Sequence, residues 1–349
     1  MRHISKKEKG AVMTIIPIVH CFDSNYVLPA AVAFHSLLSH AKSPDTLYVL
    51  HVIGRNLSEE NRNLLREIVS GFQNAQIVFH EPPDMGIELD ANSVFSVDVF
   101  SKMAVPDILT DDIALVADVD VVYDGDVADF YHELKADDDY WLCGTADIGY
   151  SAWRGKGILR DTGELKFFRR YSKFMSKQER EKLLIGVGFF AMNLKRCREE
   201  GAVGKWVTFA KKNIKRVLLP EQDVFNICSW PKVKIVSSRY MAIAAYMPRY
   251  EKMTNEERCK NPAWDDMYAN PVQIHYASAI KPWKYPASPM AGKWFDACVT
   301  AGMLHQWRAW YGKLMTDLTR FSLSRKIIDL IFCIGRRKFH LIFSREKKK

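Results

Sequence analysis

The sequence predicts an α/β fold in which a mixed, mostly parallel sheet is covered by helices, followed by a basic amphipathic helical tail. Three observations carry this expectation. Apolar segments of strand length alternate with segments of helical period through the first 130 residues, the pattern of a parallel sheet with helical cover. Ile113-Ala114-Leu115-Val116-Ala117 is an unbroken apolar run, as in a strand buried on both faces. Charge is concentrated at the ends, with ten Lys or Arg against two acids from Arg320 to Lys349 and four against one from Met1 to Lys9. The overall net charge of +9 therefore leaves residues 10–319 at about −2, so the fold itself is not a basic nucleic-acid binder.

The elements follow in order. Thr14 to Cys21 forms a first strand, ending in the polar stretch Phe22-Asp23-Ser24-Asn25-Tyr26. Pro29 opens a helix over Ala30 to His40. Asp23 and Asn25 either cap that helix or, at the carboxyl end of a first strand, hold the ribose and base of a nucleotide. Thr46 to Ile53 is a second strand and Ala75 to His80 a third. Between them Ser58 caps a helix that carries Glu59 and Glu60 in its first turn and Leu64, Leu65 and Ile68 on one face. Ser101 to Leu109 reads as helix and leads into the Ile113 strand. No G-x-G-x-x-G or G-x-x-x-x-G-K-[ST] occurs, so a nucleotide would not be held by a glycine-rich phosphate loop.

Asp118 and Asp120 close the Ile113 strand. Two carboxylates there cannot be buried bare; they face a cleft or bind a hard divalent cation such as Mg²⁺ or Mn²⁺. Asp124 with Asp126 reads as a turn and Asp137 with Asp139 as a solvated loop. Val122 and Ala128 break the alternating oxygen spacing of an EF-hand loop.

Residues 137–182 read as a loop-rich insertion or lid with two short helices, whose aromatic and basic residues form either an acceptor-facing surface or a small satellite core. Ile185 to Leu194 is a strand in which Gly186 and Gly188 mark a close approach to the backbone. Lys195 to Lys212 reads as helix. Pro220 then places Glu221, Gln222 and Asp223 at a helix start, where acids favour the dipole or serve chemistry. His275 ends a short apolar segment, with Lys281 six residues on. This imidazole and ammonium are either structural or complete a metal and phosphate site.

Other classes are excluded by composition. The apolar content of 48% is that of a globular chain, neither disordered nor fibrous. Seven cysteines, an odd number without a C-x-x-C pair, argue against a disulfide framework or zinc site. The start, interrupted by Pro17, His20 and Asp23, lacks the apolar core of a secretory signal. No stretch of 18 apolar residues would span a membrane.

Taken together, five blocks resemble glycosyltransferase family 8, the retaining nucleotide-sugar transferases that include bacterial lipopolysaccharide galactosyl- and glucosyltransferases and glycogenin. They are Cys21 to Val27, Ala117-Asp118-Val119-Asp120, Met192-Asn193-Leu194-Lys195, Glu221 to Asn226, and His275 through Trp283, covering about Ile15 to Trp283. The resemblance implies a Rossmann-like GT-A fold and transfer of a hexose from UDP-glucose or UDP-galactose. The acceptor it implies is a glycan or lipid-linked saccharide of lipopolysaccharide or cell-surface polysaccharide synthesis.

By residue, the resemblance implies Mn²⁺, with Mg²⁺ as the alternative, bound by Asp118, Asp120 and His275. It also implies donor contacts from Asp23, Asn25, Lys102, Gly188 and Lys281, with Gln222 beside the anomeric carbon and Asp223 next to the sugar. Two positions depart from the family pattern. Gly186-Val187-Gly188 stands where relatives carry Asn-Ala-Gly, and Ser278 where they carry glycine. The first motivates an alternative, a catalytically weak, membrane-associated sugar-nucleotide-binding protein.

The expected organisation is a basic extension over 1–13, a catalytic domain over 14–290 and a helical basic tail over 291–349. In that tail Ile327, Leu330, Ile331 and Ile334 form a stripe beside many cations. Such a helix either suits an anionic membrane surface, with the protein in the cytoplasm and peripherally attached to the inner face of the cell membrane, or docks on the body ahead of a disordered basic end.

Overall fold

β4 (Ile113–Ala117) is buried at every residue and lies at the middle of a seven-stranded sheet. The structure is a computed structural model that describes residues 13–43, 45–89, 97–147, 173–176, 185–217, 219–260, 262–277 and 279–320. On one side of β4, β1 (Thr14–Asp23), β2 (Thr46–Arg55) and β3 (Ala75–His80) follow in parallel. On the other, β7 (Ile185–Asn193) pairs antiparallel with both β4 and β6 (Leu142–Ala146), and β8 (Val233–Val236) closes the edge parallel to β6. The fold is thus the expected mixed, mostly parallel one.

A second, three-stranded sheet positions the site. β5 (Val121–Tyr123) pairs antiparallel with β10 (Gln273–His275), which in turn runs parallel to β9 (Ala242–Ile243). The register sets His275 opposite Val121. The linker between β4 and β5, Asp118 to Asp120, is therefore held at both ends and brought beside a residue 155 positions away in the chain.

Local signals account for most elements. Ser58 and Asn61 exchange side-chain and backbone bonds in a capping box at the start of the helix Glu59–Ser70. Ser58→Ala is expected to lower stability by about 1 kcal/mol, read as a shift in the urea unfolding midpoint at unchanged slope. The stretch expected as one helix over Ser101 to Leu109 is instead a 3₁₀ segment, Val97–Ala104, followed by one α-turn, Val105–Ile108. Pro106 supplies no N–H to Lys102, which prevents a continuous α-helix across the junction. The helix expected over Lys195 to Lys212 is two, Leu194–Glu199 and Ala202–Asn213, broken where Gly201 adopts φ 63°.

β6 is the main departure from the expected elements. Residues 142–146, expected within a loop-rich insertion, form a strand in the interior of the main sheet. Leu142-Cys143-Gly144-Thr145-Ala146 carries one large aliphatic residue and a glycine. Its strand character comes from pairing on both edges and not from local pattern. Most of the remaining insertion, residues 148–172 and 177–184, lies outside the described residues, as do the extension 1–12, Ser278 and the stripe at 327–334.

Helices Ala202–Asn213 and Pro220–Ser229 cover one face through Trp206 and Phe225, whose rings meet edge to face at 4.9 Å. Trp206 Nε1 donates to Ser229 Oγ at 3.0 Å, so the buried indole is satisfied. The helix Val27–Ser39 covers the other face and contacts both β5 and the helix Ala291–Thr300. The first compact unit consequently runs to Met303, beyond residue 290, where the sequence places the end of the catalytic domain. Leu304–Arg320 is a helix in a separate unit, with Trp307 and Tyr311 stacked at 5.2 Å. Among the described residues no helix is long and apolar enough to cross a membrane.

Candidate active site

Parallel pairing sets His20 level with Ala117, so β1 runs three residues past the end of β4, and Asp23 and Asp118 both emerge at the same edge of the sheet. Brought together there are Asp118, Asp120 and His275, with one donor atom from each lying within 4.8 Å of the others. His275 Nε2 is 3.4 Å from Asp118 Oδ2 and 3.3 Å from Asp120 Oδ1. The second oxygen of each acid meets a lysine. Lys102 Nζ lies 2.5 Å from Asp118 Oδ1, and Lys281 Nζ pairs with Asp120 Oδ2. Each carboxylate therefore turns one oxygen to a fixed ammonium and the other toward the imidazole.

Backbone bonds hold this geometry. Asp118 N–H donates to the Gly188 carbonyl at 2.9 Å, and Tyr276 N–H to the Asp120 carbonyl at 2.9 Å. Lys281 also donates to the Tyr276 carbonyl at 2.8 Å. Burial would raise the Asp120 carboxyl, but the Lys281 ammonium and His275 outweigh it and hold the group well below the usual carboxylate range.

Lys102 is almost wholly buried, with 1% of its surface exposed. It also donates to the Val187 carbonyl at 3.2 Å and lies 3.6 Å from Glu221 Oε1. Burial favours a neutral amine, yet the Asp118 and Glu221 carboxylates reverse that and keep the ammonium charged. Burial also pushes the Glu221 carboxyl up. Arg55 Nε pairs with Asp98 at 2.5 Å, tying β2 to the 3₁₀ segment that carries Lys102. Neither partnership is visible in sequence, because opposite charges 119 and 43 positions apart have no spacing to read.

The helix Pro220–Ser229 is stitched to β7 one residue at a time. Asn226 accepts from Ile185 N–H at 2.8 Å and donates to its carbonyl at 3.0 Å. Gln222 Oε1 accepts from Val187 N–H at 3.4 Å, while its Nε2 donates to Asp147 Oδ2 at 3.2 Å. Gln222 thus stands beside the glycine that backs His275. Asp223 is turned elsewhere: it is 1% exposed, and its Oδ2 accepts from Leu219 N–H at 3.2 Å, capping its own helix.

Gly188 has a steric reason. A Cβ there would meet the His275 ring at 2.2 Å, and the Gly188 carbonyl is committed to Asp118 N–H. Gly188→Ala is expected to displace the imidazole at a cost of about 1–3 kcal/mol in stability, and to weaken divalent-ion binding as well. Thermal unfolding with and without Mn²⁺ checks both effects.

Asp23 and Asn25 sit on the rim. Asp23 Oδ1 accepts from Asn25 N–H at 2.9 Å across the turn Ser24–Tyr26. Asp23 therefore caps this turn, and the helix Val27–Ser39 begins without a side-chain cap. Burial, and the nearby Asp120 and Asp118 carboxylates, push the Tyr26 phenol up to about 12. Its ring meets Trp283 edge to face at 6.0 Å, linking the turn to the Lys281-Pro282-Trp283 segment.

One imidazole nitrogen and two carboxylate oxygens form a mixed N/O donor set that a divalent cation such as Mg²⁺ or Mn²⁺ fits. The two lysines hold the carboxylates in place, Lys102 from within the core and Lys281 from the more exposed side. The cluster lies beyond the strand ends of an α/β sheet, the place where such folds hold their ligands. The model of glycosyl transferase family 8 matches residues 17–287, and the chain belongs to that family. It is 22% identical over 265 residues to a lipopolysaccharide 1,2-glucosyltransferase of Escherichia coli, covering 75% of this chain and 71% of that one.

Among solved structures, the fold is similar to the galactosyltransferase LgtC in complex with donor and acceptor sugar analogues, with a TM-score of 0.63 at 20% identity, over 84% of this chain and 99% of that one. It is also similar to the bifunctional glycosyltransferase WbbM, with a TM-score of 0.65 at 15% identity and 81% of this chain covered. This chain spans about half, 49%, of WbbM's length.

Proposed function

We propose that the chain is a retaining hexosyltransferase that moves glucose or galactose from a UDP-sugar to a glycan acceptor in lipopolysaccharide or cell-surface polysaccharide synthesis. The observation that carries this reading is the division of carboxylate oxygens, one of each pair on a lysine and the other turned to His275. Asp118, Asp120 and His275 would hold Mn²⁺ or Mg²⁺. The ion, when bound, supplies positive charge at the leaving diphosphate.

Lys281 would donate to the diphosphate, and Lys102 would fix Asp118 and help to seat the donor. Asp23 and Asn25 would hold the uridine beside the Tyr26 ring. Gln222, its amide fixed between Val187 and Asp147, would face the anomeric carbon. The self-capping of Asp223 favours same-face attack by the acceptor over a covalent intermediate on that carboxylate. Attachment to the inner face of the cell membrane through the basic tail is part of the same proposal.

A second reading, a sugar-nucleotide binder with weak catalysis, draws on Gly186. The amide that the family resemblance implies is missing at that position, and a Cβ there would meet the Met241 methyl at 2.4 Å. Release of UDP from a panel of UDP-sugars by purified protein, with Mn²⁺ and with EDTA, separates the two. The first reading expects metal-dependent release from UDP-glucose or UDP-galactose in the presence of acceptor. Metal-dependent binding without turnover on any acceptor favours the second, and no metal-dependent binding would sink both.

A further inference from the structure

We propose that a groove along the helix Ala202–Asn213 binds the phosphate-bearing end of a phosphorylated saccharide. The groove is shallow and open to solvent, with a volume of about 900 Å³, and shares no residue with the Asp118 cluster. Its described walls carry four cations, Lys173, Lys205, Lys212 and Arg216, together with Phe174 and Phe209, and no carboxylate. The imbalance is local. Residues 202–217 contain five Lys or Arg and no acid, within a body whose net charge is about −2.

Of the cations, Lys205 rests 4.8 Å over the Trp141 ring, while Arg216 is set for recognition. Phe174 and Phe209 meet edge to face at 5.2 Å, and the Arg216 guanidinium lies 5.0 Å over the Phe174 ring. Arg216 Nη1 donates to Asn213 Oδ1 at 3.0 Å, so the planar fork is held in place before any ligand arrives. A fixed guanidinium suits bidentate contact with phosphate, and lysines add point charges. The adjoining aromatic surface suits the C–H face of a sugar ring.

Gly204 adds an independent observation. It lies in the first turn of the helix without a positive φ, and a Cβ on it would meet nothing within 4 Å. Neither backbone conformation nor packing requires glycine there. Its effect is to leave part of the groove open down to the main chain.

The test is ligand-observed NMR and calorimetry on the full chain with glucose 6-phosphate, glucose and inorganic phosphate. The variants are Lys205→Glu/Lys212→Glu, Gly204→Leu and Asp120→Asn. Glucose 6-phosphate is expected to bind about tenfold more tightly than inorganic phosphate, with glucose alone not bound. Binding should fall about tenfold or more in the charge-reversed protein, and also in Gly204→Leu, which blocks the groove without touching its charge.

Asp120→Asn is expected to leave that binding unchanged, so failure here is distinct from failure of the transferase reading. Absence of glucose 6-phosphate binding, equal binding of inorganic phosphate, or insensitivity to both groove variants overturns the proposal. Co-sedimentation with phosphatidylglycerol vesicles, lost in the groove variants while glucose 6-phosphate does not bind, overturns it in favour of a lipid-facing surface.

Discussion

Asp120→Asn is expected to lower sugar transfer by about a thousandfold while leaving the protein folded. The substitution keeps the shape of the side chain but removes the charge that pairs Lys281 and faces His275. Two effects add. A neutral amide is a poor ligand for a hard divalent cation, and Lys281 loses the partner that aims it. Initial rates of UDP release across a Mn²⁺ titration check this. A tenfold loss or less, with metal dependence intact, would show that Asp120 is not a ligand. Circular dichroism should be unchanged, because Asp120 keeps its backbone bond to Tyr276.

Lys102→Met should act mainly on stability. Breaking a buried ion pair from one side leaves an uncompensated charge, typically costing 3–5 kcal/mol. Asp118 is partly solvated, with its side chain 26% exposed, so the lower end, about 3 kcal/mol, is expected here. The unfolding temperature should fall by about 5–10 °C. Adding Glu221→Gln removes one of the stranded charges and should recover part of the loss. Lys102→Arg, which keeps the charge, should lose less. A melting temperature within one degree of the parent protein for Lys102→Met would be incompatible with the buried network.

Much of the site was legible because its residues obey local rules. The Ile113 run had to be a buried strand, and carboxylates directly after it had to meet water or cations. Pro220 had to open a helix, which put Glu221, Gln222 and Asp223 at its start. Local rules fell silent where a residue's role depends on distant neighbours. Glu221 looked like any acid at a helix start, yet its partner is Lys102. Asp223, two residues on, is expected next to the sugar, and its carboxylate accepts from Leu219 N–H at the start of its own helix. Gly186 and Gly188 looked alike as strand glycines. One faces the flexible end of Met241 and the other the ring of His275.

By itself the sequence determined the alternation of strands and helices, the burial of β4, the two acids at its end and the concentration of basic residues at the termini. Each follows from period, composition or capping within a few residues of chain. Tertiary structure decided which acid oxygen meets which cation, that residues 142–146 join the main sheet, and that His275 stands against Gly188. Those outcomes depend on registers between strands far apart in sequence. Such registers are set by the collective burial of side chains that no local window contains.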